Sequence, residues 1–214
     1  KIKPDAWIWI IFCTGILARL WLTESQPLFA IGGATHDDRL FLTLAKNILE
    51  GNWLGPYNSL TLIKGPFFSI WVAMANILEL PLLLSEQIIY AFACLLLTHA
   101  VKPLIGNKYL FVLLYFALLF NPASFDTGLT RATRDMIYPS LSIIVVACTF
   151  GILFSSINNG QTWHWGIGLG IVFGCFWLTR EEGIWVFPFF FFVFIAGILF
   201  IGVRNWSLGN FGIL

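Results

Sequence analysis

Charged side chains are scarce in this sequence. Asp, Glu, Lys and Arg make up 11% of its 214 residues, whereas about 25% is usual in a soluble globular domain. The few charges almost cancel, giving a formal net charge of +1, and no basic stripe is present. The scarcity excludes an ordinary soluble domain, and the missing basic surface excludes nucleic acid from the expected partners.

Cysteine and histidine are too few and too scattered for a disulfide framework or a metal site. The cysteines lie inside apolar runs without paired spacing, which favours small core residues: Cys13, Cys94, Cys148 and Cys175. The three histidines show no metal spacing. A Gly-rich phosphate loop and a nucleophile elbow are missing as well. No bound cofactor is therefore expected from motifs.

Long apolar runs fill the chain instead. Hydrophobic residues make up 58% of it, and the mean hydropathy is +0.84. The runs are continuous rather than alternating, which favours membrane helices over a barrel. They cover residues 6–22, 66–80, 86–102, 109–121, 136–157, 163–178 and 184–203. We therefore predict an all-α polytopic membrane protein.

The positive-inside rule indicates how these runs cross the membrane. The 102–108 link holds two lysines and no acid, so we expect it in the cytoplasm together with the lysine-bearing N-terminus. One span leads from the N-terminus to the outside and one more leads back to this link, so 66–80 should not cross the membrane. As a helix, 66–80 would reach about 22 Å of a hydrocarbon core about 30 Å thick. About six transmembrane helices remain. In the alternative, 66–80 spans and places Asp37 and Asp135 on opposite faces.

The long external loop, residues 23–85, has helical periodicity of its own. Apolar residues repeat at i, i+3, i+4 and i+7 within 38–50, and Gly51 follows as a stop. This pattern predicts an amphipathic helix that is too polar to span. With 66–80 it makes two interfacial juxtamembrane helices, and long structured loops usually carry function.

The charges able to do chemistry lie in short breaks between the runs. In this topology the four breaks that carry these charges fall on the outer side, which indicates a site for a charged, membrane-anchored substrate. They are His36-Asp37-Asp38-Arg39, Lys64-Gly65-Pro66, Arg131 to Asp135 and Arg180-Glu181-Glu182-Gly183.

The first two breaks each have a chemical and a structural interpretation. Asp37 and Asp38 fit a general base or metal ligand, and also a helix N-cap followed by a first-turn charge. Lys64 stands just before a helix start and fits a phosphate. The same lysine also fits a snorkelling contact with lipid headgroups. His36 is a candidate to join the site.

The later two breaks are equally open. Asp135 fits an active-site acid or a cap of the 136–157 helix, with Arg131 and Arg134 as its neutralising neighbours. Arg180 and Glu182 fit a clamp for phosphate and sugar, and also the charged tight turn that Gly183 permits.

Taken in order, these pieces resemble a known family. A first span precedes a D-[DE]-x-x-aromatic helix ending in EGNW, and KGP precedes a short helix. NP...TRATRD and LTREEG each precede a further span. This order resembles the N-terminal module of the GT-C glycosyltransferases, and it is most similar to the aminoarabinose transferase and protein mannosyltransferase-like branch. The resemblance covers nearly all of 1–214, which we expect to be a single module and a fragment of a longer protein.

The resemblance implies an inverting transfer from a polyprenyl-phosphate sugar to an unknown acceptor at the outer face of the plasma (inner) membrane. Asp37 matches the catalytic acid of the first loop and is expected to act as general base. Asp38 is its neighbouring acid, and Asp135 matches a second acid of the active site. Lys64 matches the lysine that holds the lipid phosphate, and Arg180 a nearby cation.

Glu182, Arg134 and His36 complete the expected substrate-binding residues. No metal is expected, although a divalent cation held by Asp37, Asp38 and Asp135 stays open. The expected partners are the lipid-linked donor, membrane lipids, and further subunits or a missing C-terminal region. Two other functions remain: a non-catalytic lipid-binding or scaffold subunit and, less favoured, a transporter.

Overall fold

The computed structural model describes residues 6–30, 37–56, 64–157 and 161–211, and these fold into helices joined by short turns. The α-helices are α1 (Ala6–Glu24), α2 (Asp37–Leu49), α3 (Phe67–Ile77), α4 (Leu82–Ala100), α5 (Lys108–Leu119), α6 (Tyr138–Ile157), α7 (Trp163–Thr179) and α8 (Val186–Phe211). Single 3₁₀ turns include Lys102–Leu104, Pro122–Phe125, Thr127–Thr130 and Glu181–Trp185. The all-α prediction is confirmed for the described part of the chain. The N-terminal lysines of the topology argument lie outside it.

Five helical segments are long and apolar enough to cross a membrane. They are Ala6–Glu24, Leu82–Ala100, Lys108–Phe125, Tyr138–Ser156 and Glu182–Leu199. The helices α3 and α7 are apolar but shorter, with 11 and 17 residues. At 1.5 Å per residue, α3 reaches only about 16 Å of a hydrocarbon core about 30 Å thick. The protein is thus of the integral membrane type, and α3 has the shortness expected of run 66–80.

The helices α4 and α6 form the centre of the bundle. Ala93 on α4 is fully buried against Ile144 and Cys148 of α6. Small side chains at such a contact let two helix backbones approach closely, which replaces the missing hydrophobic drive inside a membrane. On one side, Phe12 of α1 and Tyr115 of α5 pack with ring centroids 4.2 Å apart.

The amphipathic helix predicted at 38–50 is confirmed as α2. Phe41, Leu44 and Ala45 are buried on one face, and polar residues face outward. Gly51 ends the helix with φ +78, a conformation that favours glycine. Its amide donates to the Ile48 carbonyl at 3.1 Å, and the next amide, of Asn52, donates to Asn47 at 2.9 Å. This pair of bonds is a Schellman stop.

The two short helices pack on each other and on one end of the bundle. Phe41 of α2 and Phe68 of α3 meet edge to face with ring centroids 5.2 Å apart. Both belong to a buried cluster with Met136, Phe176 and Val186 from the ends of the longer helices. Burial of these apolar side chains holds the charged loops of that end in place.

The lysines of the 102–108 link lie where α4 ends and α5 begins. Lys108 Nζ is 5.5 Å from the Trp7 ring at the start of α1, and Lys102 Nζ is 5.9 Å from the ring of Phe111. Aromatic rings near lysines are typical of a membrane interface. This lysine end is the bundle end away from α2 and α3, because α1 and α4 each run the length of the bundle.

Candidate functional site

Backbone pairing joins the segment after α1 to the segment before α6. The amide of Phe29 donates to the Thr130 carbonyl at 3.1 Å, and the amide of Ala132 donates to the Phe29 carbonyl at 3.0 Å. These two bonds fix the Arg131 backbone between them. The side chain of Arg131 therefore extends from a backbone segment that hydrogen bonds hold in place.

Asp38 and Arg131 form the most buried ion pair of the site. Asp38 has no exposed surface, because it shares the buried face of α2 with Phe41 and Ala45 at helical spacing. Arg131 Nε donates to Asp38 Oδ2 at 2.8 Å, and Arg131 Nη2 donates to Oδ1 at 2.6 Å. Such a two-bond fork is the strongest geometry between a guanidinium and a carboxylate.

Asp37 and Lys64 form a second and more open pair. Lys64 Nζ lies 3.1 Å from Asp37 Oδ2, with side chains 24% and 42% exposed. Both groups are therefore reachable from outside, unlike Asp38. Lys64 comes just before α3, whose N-terminal amides have no side-chain cap. A lysine beside free helix amides is a favourable place for a phosphate.

The third group is built around Arg180. Its Nη1 donates to Asp135 Oδ1 at 2.7 Å, and its Nε lies 2.9 Å from Glu182 Oε2. The acids are well exposed, at 51% and 68%. Asp135 also accepts a bond from Thr133 Oγ1 at 3.4 Å. We call Asp37, Asp38, Lys64, Arg131, Asp135, Arg180 and Glu182 the ion-pair cluster.

Close packing links the lysine loop to the arginine loop. A Cβ at Gly65 would overlap the carbonyl oxygen of Leu178 near the end of α7. Only glycine permits this approach of two backbones. Arg134, which is 6% exposed, donates to the Thr179 carbonyl at 3.5 Å. The loops before α3, before α6 and after α7 are therefore held together.

Arg131 is the electrostatic centre of the ion-pair cluster. The side-chain hydrogen bonds that Arg131 donates to Asp38 raise the pKa of Arg131, and the charges of Asp38, Asp37 and Asp135 raise it further. The guanidinium therefore stays charged throughout the working pH range. The charges of Asp37, Asp38 and Asp135 all act on Arg131, because the three aspartates lie near it. Asp37 and Asp135 are therefore at the same end of the bundle.

The helix-cap interpretations of two acids need correction. The helix α6 begins at Tyr138, three residues after Asp135, and the Asp135 carboxylate bonds with Arg180 instead. Asp37 is the first residue of α2 and lies in its first turn with Asp38. The preceding residue, His36, lies outside the described residues.

The aspartates do not gather as a metal centre would require. Across residues 6–30, 37–56, 64–157 and 161–211, no three His, Cys, Asp or Glu side chains come together. Each of the three aspartates instead faces its own cation. The divalent cation held by Asp37, Asp38 and Asp135 therefore gains no support from this geometry.

Arg131 is the site residue that the sequence analysis did not single out. It was grouped with Arg134 as a neighbour of Asp135, yet it pairs with Asp38, 93 residues away. One signal pointed to such a partner. Asp38 lies three residues before Phe41 on the apolar face of a helix, and a buried carboxylate needs a cation.

Comparison with known proteins adds no assignment to this geometry. No protein-family model matches the chain, and no curated protein and no solved structure matches it either.

Proposed function

We propose that this protein is an inverting GT-C-like glycosyltransferase that uses a polyprenyl-phosphate sugar as donor. In this proposal α7 is a sixth crossing helix, and α2 and α3 lie in the interface. The ion-pair cluster then faces the extracytoplasmic side of the plasma membrane. One observation carries the proposal: the half-exposed Asp37 carboxylate lies 3.1 Å from Lys64 Nζ at the uncapped start of α3.

The open pair supplies the two groups that such a transfer needs. Lys64 and the α3 amides bind the donor phosphate, which replaces the Asp37 carboxylate as the partner of the lysine. The released carboxylate takes the proton from the acceptor hydroxyl as its oxygen attacks the anomeric carbon. The bond from that carbon to the phosphate oxygen breaks, and Lys64 stabilises the negative charge that the polyprenyl phosphate gains.

The other members of the ion-pair cluster divide into positioning and binding roles. Asp38 is fully buried and held by Arg131, so we assign it the positioning of α2 and of the adjacent Asp37. Asp135 and Glu182 are exposed on either side of Arg180 and suit hydrogen bonds to sugar hydroxyls. Arg134, which is outside the ion-pair cluster, is buried against α7 and holds this loop rather than a substrate.

Binding of the donor tests the phosphate role. The protein in phospholipid nanodiscs is mixed with a polyprenyl-phosphate sugar, and the complex is measured by native mass spectrometry. Lys64→Ala should weaken binding about 10- to 100-fold, because a charge-assisted hydrogen bond contributes about 1.5–3 kcal/mol. Arg180→Ala should weaken it less, because that guanidinium already faces Asp135 and Glu182.

Lys46→Ala is the matched control for this measurement. Lys46 is a lysine on α2 with its own acid, Glu50, at 3.7 Å, and its side chain is 74% exposed. Equal loss of binding in both lysine variants would show a general attraction of the lipid to positive charge. Unchanged binding in Lys64→Ala would remove the phosphate site from the proposal.

A non-catalytic lipid-binding subunit is the second candidate. The observation in its favour is that Asp37, Asp38 and Asp135 each already face a cation, as a purely structural network would require. Such a subunit needs Lys64 for lipid and has no use for a base. This candidate would be favoured if donor binding depended on Lys64 but no sugar were transferred to any acceptor tested.

A further inference from the structure

A second polar region lies inside the helix bundle, apart from the ion-pair cluster. A cavity of about 430 Å³ opens between α1, α4, α6 and the turn after α5. Its polar lining includes Arg19, Glu86, Gln87, Asn121, Ser124 and Ser140. A volume of this size is typical of small-molecule sites. The cavity is closer to the loop end of the bundle, because Glu86 is four residues from the start of α4.

Within the described part of the chain, the buried carboxyl group of Glu86 has no hydrogen-bond partner. The side chain is 2% exposed, and within the described residues neither Oε1 nor Oε2 has a hydrogen-bond partner. Burying a carboxyl group in this way is costly. A buried acid that lines an empty space has the position of a ligand-binding group rather than of a structural one.

Arg19 lines the same cavity, and its guanidinium is held by several contacts that leave one nitrogen, Nη2, unused by the described residues. Its Nε donates to Gln87 Oε1 at 2.6 Å, and its Nη1 donates to the Leu119 carbonyl and to Ser124 Oγ. The guanidinium lies between the rings of Tyr90 and Phe125, at 4.2 and 4.6 Å. Its Nη2 is buried without a partner among the described residues.

The two unsatisfied groups define the chemistry of an occupant. Two carboxyl oxygens accept hydrogen bonds, and the free guanidinium nitrogen donates them. An anion would meet Glu86 and, at the rim, Asp126. A cation would meet the buried guanidinium of Arg19, which lines the same cavity. Hydroxyl groups both donate and accept, so an uncharged group with several hydroxyls satisfies both sides.

We propose that this cavity binds an uncharged polyhydroxyl group such as a sugar ring, between Glu86 and Arg19. The assignment stands on the cavity and on its two unsatisfied side chains. The further step, that this sugar belongs to the acceptor, rests on the proposed transferase function.

Saturation-transfer NMR tests the binding directly. The full chain is placed in phospholipid nanodiscs free of sugar detergents, and methyl glucoside is the probe. We expect a saturation-transfer signal from the wild type that falls at least fivefold in Glu86→Leu. Tyr115→Phe is the matched control, because it removes a different buried polar group without a partner among the described residues, outside the cavity. It should give the wild-type signal.

The thermal stability of the same variants gives a second readout. Glu86→Leu exchanges an unsatisfied carboxyl for an apolar side chain of similar size, so its unfolding temperature should rise while binding is lost. A fall in unfolding temperature would show that Glu86 has a structural partner and would overturn the proposal. If Glu86→Leu does not fold, Ser140→Ile narrows the cavity from the facing helix and should also abolish the signal.

Competing probes decide among the other outcomes. Displacement of methyl glucoside by choline or by inorganic phosphate would identify a cation or anion site and overturn the assignment. Lys64→Ala should leave the methyl glucoside signal unchanged, so the cavity and the phosphate site can fail separately. Loss of the signal in Lys64→Ala would move the sugar to the ion-pair cluster and remove it from the cavity.

Discussion

The two polar regions of this protein, the ion-pair cluster and the cavity, differ in whether their charged groups have hydrogen-bonding partners. In the ion-pair cluster each acid faces a cation, as in the fork between Asp38 and Arg131. In the cavity, Glu86 and one nitrogen of Arg19 are buried without partners in the described part of the chain. The first region is satisfied without a ligand, and the second is not. Removing a buried charged group should therefore lower the stability in the ion-pair cluster and raise it in the cavity.

The largest expected effect is on catalysis at the ion-pair cluster. Asp37→Asn removes the proposed base and should lower sugar transfer about 10²- to 10⁴-fold. The half-exposed position of Asp37 should keep the unfolding temperature within a few degrees of wild type. The rate of sugar transfer is measured with a lipid-linked donor and the full-length protein. Transfer at the wild-type rate would remove Asp37 from its role.

The next effect is on stability and concerns the buried fork. Asp38→Asn should lower the unfolding temperature by roughly 5 °C, because the exchange removes a charge-assisted pair to Arg131. Thermal unfolding in nanodiscs measures it. Asp126→Asn is the matched control, since Asp126 is exposed and its Oδ1 accepts a hydrogen bond from the Gly128 amide at 2.9 Å. If Asp38→Asn instead raised stability, as Glu86→Leu should, the contrast between the regions would fail.

A smaller effect tests the packing that positions Lys64. Gly65→Ala should cost about 1–3 kcal/mol of stability and weaken donor binding, because the added methyl group overlaps the Leu178 carbonyl. Gly106→Ala adds the same methyl group to a link where nothing lies within 4 Å, so it should be neutral. Both stabilities are read from chemical unfolding. Equal behaviour of the two variants would contradict the close approach of the loops.

The smallest effect concerns the stop of α2. Gly51→Ala should cost about 1 kcal/mol, because φ +78 is unfavourable for a side chain even though the space around Gly51 is open. The same unfolding assay measures it. Since Gly51 is remote from the cavity, methyl glucoside binding should not change. A loss of that binding would show that the two polar regions are coupled.

Most of the helical architecture follows from the sequence. The run 136–157 differs from α6 by only two residues at its start, and the apolar repeat in 38–50 gave the buried face of α2 correctly. These features are local, since continuous apolar runs and a 3.6-residue period are set by neighbours along the chain. The shortness of α3 was also readable, from the length of the run 66–80.

The charge pairing was only partly readable from the sequence. The positive-inside rule predicted that the charged breaks share one face, and the structure brings the aspartates together at one end of the bundle. The rule gave no pairing, so Arg131 was not recognised as the partner of Asp38. Asp135 was given a capping alternative although its partner is Arg180.

The sequence alone determined that this is a helical membrane protein with charged segments between its apolar runs, because hydropathy and periodicity act along the chain. Only the tertiary structure decided which charges are satisfied. Arg19 and Glu86 are single charged residues within apolar helices, 67 positions apart, and nothing local distinguishes them from interfacial charges. Their shared cavity exists because α1, α4 and α6 leave space between them, and that space depends on how whole helices pack.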